Sequence, residues 1–183
     1  CDLHLGDDNK NGYELIEELR TRRLINPTSV FILISADSAR PVVLGSIERR
    51  PDDFLIKPFS QVQLKSRIVR AWQKRQFLQQ AFSLIEQGEC NSAIDHIEAL
   101  LDAPSHYKGH CEQLLVELYW RIDQPDKALD VLRDYIDGKP VLWAQIAIGK
   151  TYLQLKEYEK AIATAKRTLK RNRFNADAHD ILA

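Results

Sequence analysis

Asn91-Ser92-Ala93-Ile94-Asp95-His96-Ile97, Asp126-Lys127-Ala128-Leu129-Asp130-Val131-Leu132 and Glu159-Lys160-Ala161-Ile162-Ala163-Thr164-Ala165 are one phrase written three times. Their alanines, Ala93, Ala128 and Ala161, stand 35 and 33 residues apart. Twelve residues before each lies another small or compact residue, Ala81, Val116 or Gly149, and three residues beyond those come Leu84, Tyr119 and Tyr152. A period this long, with small residues at two fixed phases, predicts helical hairpins stacked one on the next. The small side chains let two helices approach closely, and the larger ones fill the space between hairpins. Gly88 and Tyr158 fall where paired helices turn, and Pro140 closes the second unit.

These residues resemble the tetratricopeptide repeat over about residues 74 to 175, and Asn175-Ala176-Asp177-Ala178-His179 resembles the start of a fourth repeat. Arg173 stands where that family usually has Pro, and Thr168 where it has Ala. The resemblance implies a concave groove for a protein partner, lined by the first helix of each pair. It places Arg75, Phe82, His110, Gln113, Glu117, Trp120, Trp143 and Lys150 on or near that face. Trp120 and Trp143 are the candidate anchors, because aromatic side chains dominate interface energetics; packing against a neighbouring hairpin is the other role open to them. The Lys and Asn set with which chaperone-binding repeats clamp a carboxyl terminus is not evident, so a chaperone tail is not the expected ligand.

Upstream of residue 60 the pattern changes. Val30-Phe31-Ile32-Leu33-Ile34 and Phe54-Leu55-Ile56 are short continuous apolar runs, as expected of strands covered on both faces. Gly12 to Arg22 reads as a helix with Leu15, Ile16 and Leu19 on one face, and Ser38 to Arg49 as another with Val42, Val43, Leu44 and Ile47 inward. Alternating strands and helices predict a parallel α/β sheet. Ser60 to Gln87 contains neither Gly nor Pro. Leu64, Ile68, Ala71 and Trp72, then Phe77, Ala81, Leu84 and Ile85, keep helical spacing, predicting one long helix or two abutting ones that join the modules.

Three motifs in this first part occur in a telling order. Cys1-Asp2-Leu3-His4-Leu5 with Gly12-Tyr13-Glu14-Leu15, then Phe31-Ile32-Leu33-Ile34-Ser35-Ala36, then Asp53-Phe54-Leu55-Ile56-Lys57-Pro58-Phe59 resemble the third, fourth and fifth strands of a bacterial response-regulator receiver domain. The chemistry suits those residue types. A carboxylate at a strand's carboxyl end can accept a phosphoryl group as an acyl phosphate, which makes Asp2 the candidate phosphoacceptor. The added charge needs partners. Lys57 supplies a point charge, and Ser35 a hydroxyl for a phosphoryl oxygen. The resemblance further implies a cis bond before Pro58, a switch aromatic at Phe54, and Mg²⁺ held by Asp2, by the backbone carbonyl of His4 and by acidic residues of a strand outside this chain. The loop from Asp2 to Gly12, with Gly6, Asp7 and Asp8, is longer than the family's common form and has no Pro.

The expected organisation is therefore part of a doubly wound parallel α/β receiver over residues 1–73, followed by an all-α repeat solenoid over 74–183, with helix predominating. The expected function is a two-component response regulator, not an enzyme. A sensor histidine kinase or phosphotransfer protein would load Asp2, and the repeat groove would bind an unidentified protein. The alternative is a constitutive repeat scaffold whose receiver is degenerate or serves a homodimer.

Composition narrows the classes. With 26 basic and 26 acidic residues the formal charge is zero, so general attraction to nucleic acid or an anionic membrane is not expected. Lys166, Arg167, Lys170, Arg171 and Arg173 read as a solvated helix end favoured by its dipole. Cys1, Cys90 and Cys111 fit neither a disulfide framework nor a zinc pattern, which suits a reducing cytoplasm. His4, His96, His106, His110 and His179 are scattered, and no run reaches membrane-spanning length. The chain begins at Cys1 and contains no Met, so the natural start is expected upstream.

Overall fold

The computed structural model describes residues 1–3, 11–36, 47, 49–138, 140–173 and 175–183. Among them are ten α-helices and one small parallel sheet, so helix predominates. The chain divides into two compact units, Cys1–Ile97 and Glu98–Ala183.

In the first unit, β1 (Ile32–Ser35) and β2 (Asp53–Ile56) pair in parallel, with Leu33 opposite Phe54 and Ser35 opposite Ile56. The segment Cys1–Leu3 adds to the other edge of β1 through a parallel bridge from Asp2 to Ile34, with Leu3 N–H donating to Ile34 O at 2.7 Å. Helix α1 (Gly12–Thr21) begins at a reciprocal cap: Asn11 Oδ1 accepts from the Tyr13 and Glu14 amides, and Glu14 Oε2 accepts from Asn11 N–H. It packs Ile16 on Leu33 and Phe54, with Leu3, Tyr13, Phe31 and Ile56 around them. Glycine is required at position 12. A Cβ there would lie 2.6 Å from Leu33 Cδ2 and 2.8 Å from the backbone oxygen of Asp2. Most of the helix expected over Ser38–Arg49 lies outside the described residues; Ile47 is buried.

Helix α2 (Gln61–Phe77) starts at a second reciprocal cap, Ser60 with Gln63. One non-helical residue, Leu78, separates it from α3 (Gln79–Gln87). The hydrogen-bond ladder runs through that residue: Leu78 N–H donates to Lys74 O, and Phe82 N–H to Leu78 O. Residues 61–87 are thus the two abutting helices expected from the absence of Gly and Pro, and both lie within the first unit. The inward face of α2 differs from the expected one. Ile68 and Trp72 are exposed, and the buried stripe is Ala71, Arg75 and Leu78, flanked by Leu64, Arg67 and Lys74. The physical reason is that cations anchor this helix. Arg67 pairs with Asp53 at 3.2 Å, Lys74 donates to Asp52 O, and Arg75 reaches Asp52.

Helices α3 and α4 (Cys90–Leu101) are joined through Gly88, in the left-handed conformation at φ 82°. In the second unit, α5 (Lys108–Arg121) pairs with α6 (Pro125–Val131), and α8 (Leu142–Gln154) with α9 (Tyr158–Arg171). The short α7 (Arg133–Ile136) and α10 (Ala176–Asp180) both pack on α8. Asp123 and Lys156 hold the left-handed conformation at φ 56° and 60°, so these turns recur 35 and 33 residues apart. Each turn closes with the same pair of bonds: Gly88 to Ile85 O and Glu89 to Leu84 O, Asp123 to Trp120 O and Gln124 to Tyr119 O, Lys156 to Leu153 O and Glu157 to Tyr152 O. This is the Schellman pattern, which satisfies carbonyls left over at a helix end. Ala81, Ala93, Val116, Ala128 and Ala161 are fully buried, and a Cβ on Gly149 would meet Ile181 Cδ1 at 2.8 Å. The repeating phrase of the sequence is therefore a repeating unit of backbone.

Candidate functional site

The sheet brings the three motif residues of the first unit together. Asp2 lies on the edge segment, Ser35 ends β1, and Lys57 immediately follows β2. All three sit at carboxyl ends of neighbouring parallel segments, where α/β sheets present ligand sites. Lys57 Nζ donates to Asp2 Oδ2 at 2.5 Å, and Lys57 N–H donates to Ser35 O at 2.8 Å. The Lys57–Pro58 peptide bond is cis. Ser35 is fully buried, while Asp2 and Lys57 are partly open to solvent. An exposed pair of this kind contributes roughly 0–1 kcal/mol to stability, so folding alone is a weak reason to hold it. Chemically it offers a reachable carboxylate with a cation already in contact. Phe54 lies in the core beside Leu33 and Ile16, two residues from the paired acid Asp52.

His4 lies outside the described residues, and so does the loop rim at residues 5–10. Among the described residues no group of three or more His, Cys, Asp or Glu could hold a metal. Mg²⁺ demands near-octahedral oxygen coordination. Asp2 supplies one carboxylate, already bonded to Lys57, so the described donor set does not by itself fit that ion.

A second charged constellation sits at the amino-terminal end of the two strands, and sequence reading passed over it. Asp52 is 8% exposed and accepts from Arg20 at 3.3 Å, from Arg75 at 3.5 Å and from Phe31 N–H at 2.7 Å. Arg20 also donates to Arg50 O at 2.6 Å, and Arg75 Nε to Pro27 O at 2.6 Å. The Arg75 guanidinium stacks over Phe82, 3.7 Å from the ring centre. Burial pushes Arg75 down to about 10, with Asp52 opposing and Arg20 adding to the fall. Burial lowers Lys74 as well. The signal was the double acid Asp52-Asp53 ahead of an apolar strand, with Arg67, Lys74 and Arg75 at helical spacing downstream.

The candidate groove residues of the second unit have different surroundings. His110 is exposed and edge-on to Tyr107. Trp143 is half-buried against Tyr135, with ring centres 5.1 Å apart. Trp120 Nε1 donates to Thr151 Oγ1 at 3.0 Å, tying α5 to α8. Lys150 pairs with Asp177 at 2.8 Å, tying α8 to α10. Glu117 is 3% exposed. Trp120 and Lys150 thus join successive helices; of the five, His110 is exposed, Trp120, Trp143 and Lys150 are half-buried, and Glu117 is buried. Sequence reading also missed two tyrosine–carboxylate bonds, Tyr135 to Glu112 and Tyr119 to Glu98, each 2.5 Å. Burial and the bond to Glu112 raise the Tyr135 hydroxyl above its ordinary value.

No protein-family model, curated protein or solved structure matches the chain. No helix among the described residues is long and apolar enough to cross a membrane.

Proposed function

We propose that this chain is a phosphorylation-controlled adaptor, part of a response-regulator receiver joined to tetratricopeptide repeats that bind another protein. The observation that carries the proposal is the convergence of Asp2, Ser35 and Lys57, residues 55 positions apart at the extremes, at one end of a parallel sheet. Asp2 is the proposed phosphoacceptor. Lys57 balances the incoming charge, and Ser35 supplies a hydroxyl at the neighbouring strand end. Phe54 is the proposed relay, since packed cores switch between discrete arrangements. The recurring Schellman turns and the small buried residues support the repeat half of the reading. Trp143 and His110 are the proposed partner contacts.

The full-length protein is incubated with acetyl phosphate, with and without Mg²⁺, and the modified residue is located by mass spectrometry. The expected result is Mg²⁺-dependent labelling of the wild type that Asp2→Asn abolishes. Equal labelling of both proteins refutes the assignment of Asp2. Labelling that leaves partner affinity unchanged would replace the adaptor by a constitutive scaffold.

A further inference from the structure

The first helical hairpin differs from its successors in what its candidate groove face touches. By repeat phase, Arg75, Phe82 and Ile85 are the counterparts of His110, Glu117 and Trp120. In the second unit Trp120 reaches the next helix of the array. In the first unit, Arg75 and Glu86 are bonded to the sheet module instead. Arg75 Nε donates to Pro27 O, and its Nη1 pairs with Asp52. Arg23, just beyond α1, donates to Glu86 O at 2.7 Å. Between these contacts lies a cleft of about 280 Å³, walled by Arg20, Thr21 and Arg23 on one side and by Phe82, Ile85 and Glu86 on the other.

We propose that the groove face of the first repeat is occupied in cis by α1 and the 23–31 segment, with the buried Arg20–Asp52–Arg75 ion network as its latch. The inference rests on the reading of these helix pairs as tetratricopeptide repeats and extends it to regulation of the groove. The occupant makes contacts a peptide ligand would make, the Pro27 carbonyl for Arg75 and the Arg23 guanidinium against a backbone carbonyl of α3, and Asp52, just before β2, adds the carboxylate that latches Arg75. The latch is placed to respond to the sheet. Asp52 accepts from Phe31 N–H at the foot of β1 and stands two residues before Phe54. A shift of β2 that moves the Asp52 carboxylate breaks two buried charge contacts at once. A buried network of this kind is bistable, because a half-paired arrangement leaves an uncompensated buried charge.

The test uses the full chain with Cys1→Ser, Cys90→Ser and Cys111→Ala, and a single reporter thiol introduced by Ile85→Cys in the cleft wall. A parallel protein carries Ile97→Cys, a reporter in the core of α4. Maleimide labelling is followed by mass spectrometry, with and without Asp52→Asn. The latch predicts labelling at position 85 at least tenfold faster in the Asp52→Asn background, and an unchanged rate at position 97. No acceleration at 85, or equal acceleration at both positions, overturns the proposal. Should Asp52→Asn lose its helical circular dichroism, Arg23→Ala, which removes an exposed bond to α3, replaces it under the same criteria. A second arm adds acetyl phosphate and Mg²⁺ to unlatched and wild-type reporters built in the full-length protein. Acceleration that Asp2→Asn blocks supports control of the latch by phosphorylation. Release by Asp52→Asn without any response to the phosphodonor refutes phosphoryl control and leaves the cis occupancy standing.

Discussion

The three helix turns allow a test in which one backbone conformation is probed from both directions. Gly88, Asp123 and Lys156 share the left-handed conformation and the same pair of closing hydrogen bonds. Only the first is glycine. An ordinary L-residue in this conformation carries a strain of about 1–2 kcal/mol, from Cβ against the following carbonyl. No heavy atom lies within 4 Å of a Cβ built on Gly88, so Gly88→Ala meets the backbone strain alone. Alanine returns about 0.4–1 kcal/mol by restricting the unfolded chain, so the expected net loss is about 0.5–1 kcal/mol. Lys156→Gly runs the argument backwards. The Lys156 side chain is exposed, so little packing is lost, and the expected net gain is about 0.5–1 kcal/mol. Urea unfolding of each variant, monitored by circular dichroism, measures both changes. The substitutions fall in different compact units, so the transition of the unit that carries each change is the one expected to move. Stabilisation by Gly88→Ala, or destabilisation by Lys156→Gly beyond 0.5 kcal/mol, would refute the shared Schellman geometry.

Gly12→Ala is expected to destabilise the first unit by about 1–3 kcal/mol in urea unfolding, because its Cβ meets the Asp2 backbone oxygen at 2.8 Å and that oxygen cannot rotate away. Trp120→Phe removes the bond to Thr151 and should cost roughly 0.5–1.5 kcal/mol; since Thr151 Oγ1 also donates to Ala147 O, a Thr151→Val second mutation should reveal coupling in a double-mutant cycle. The Cys111 thiol is fully buried and pushed up to about 11 by burial and by Glu112, so at pH 8 native protein should be alkylated at Cys1 well before Cys111. Raised in the folded state, this thiol also makes stability fall as pH climbs from 9 through 11, measurable as a lower urea midpoint at pH 10.5 than at pH 8.5 that Cys111→Ala reduces.

Much of the architecture is local and was legible in the residues alone. The 35- and 33-residue spacings, the small residues at two phases and Gly88 state the helical repeat directly, because each reports a close approach or a turn that only a few residue types allow. The helix at Gly12–Thr21 was readable because Asn11 and Glu14 cap it within its own sequence, and the short apolar runs marked β1 and β2. The order of Asp2, Ser35 and Lys57 named the candidate site before any contact was known.

What tertiary structure alone decided are the contacts in which charge replaces apolar packing. Helical spacing grouped Ile68 and Trp72 with Leu64 and Ala71, and repeat phase put Arg75 near the groove, whereas α2 exposes Ile68 and Trp72 and turns Arg67, Lys74 and Arg75 to Asp52 and Asp53. Hydropathy cannot foresee this, since a guanidinium is stable inside only when a carboxylate from a distant strand meets it, and that meeting is a property of the fold. Repeat phase put Lys150 and Trp120 on or near the groove and left packing on a neighbouring hairpin open for Trp120, and only the fold shows their polar ends bonded to Asp177 and Thr151 of neighbouring helices. Asp123 and Lys156 hold the conformation of Gly88 without its sequence signal, because two backbone bonds and the stacking of α5 on α6 and α8 on α9 offset the strain. Local signals specify where this chain turns and which faces are small; only the assembled helices and sheet determine which charges find each other.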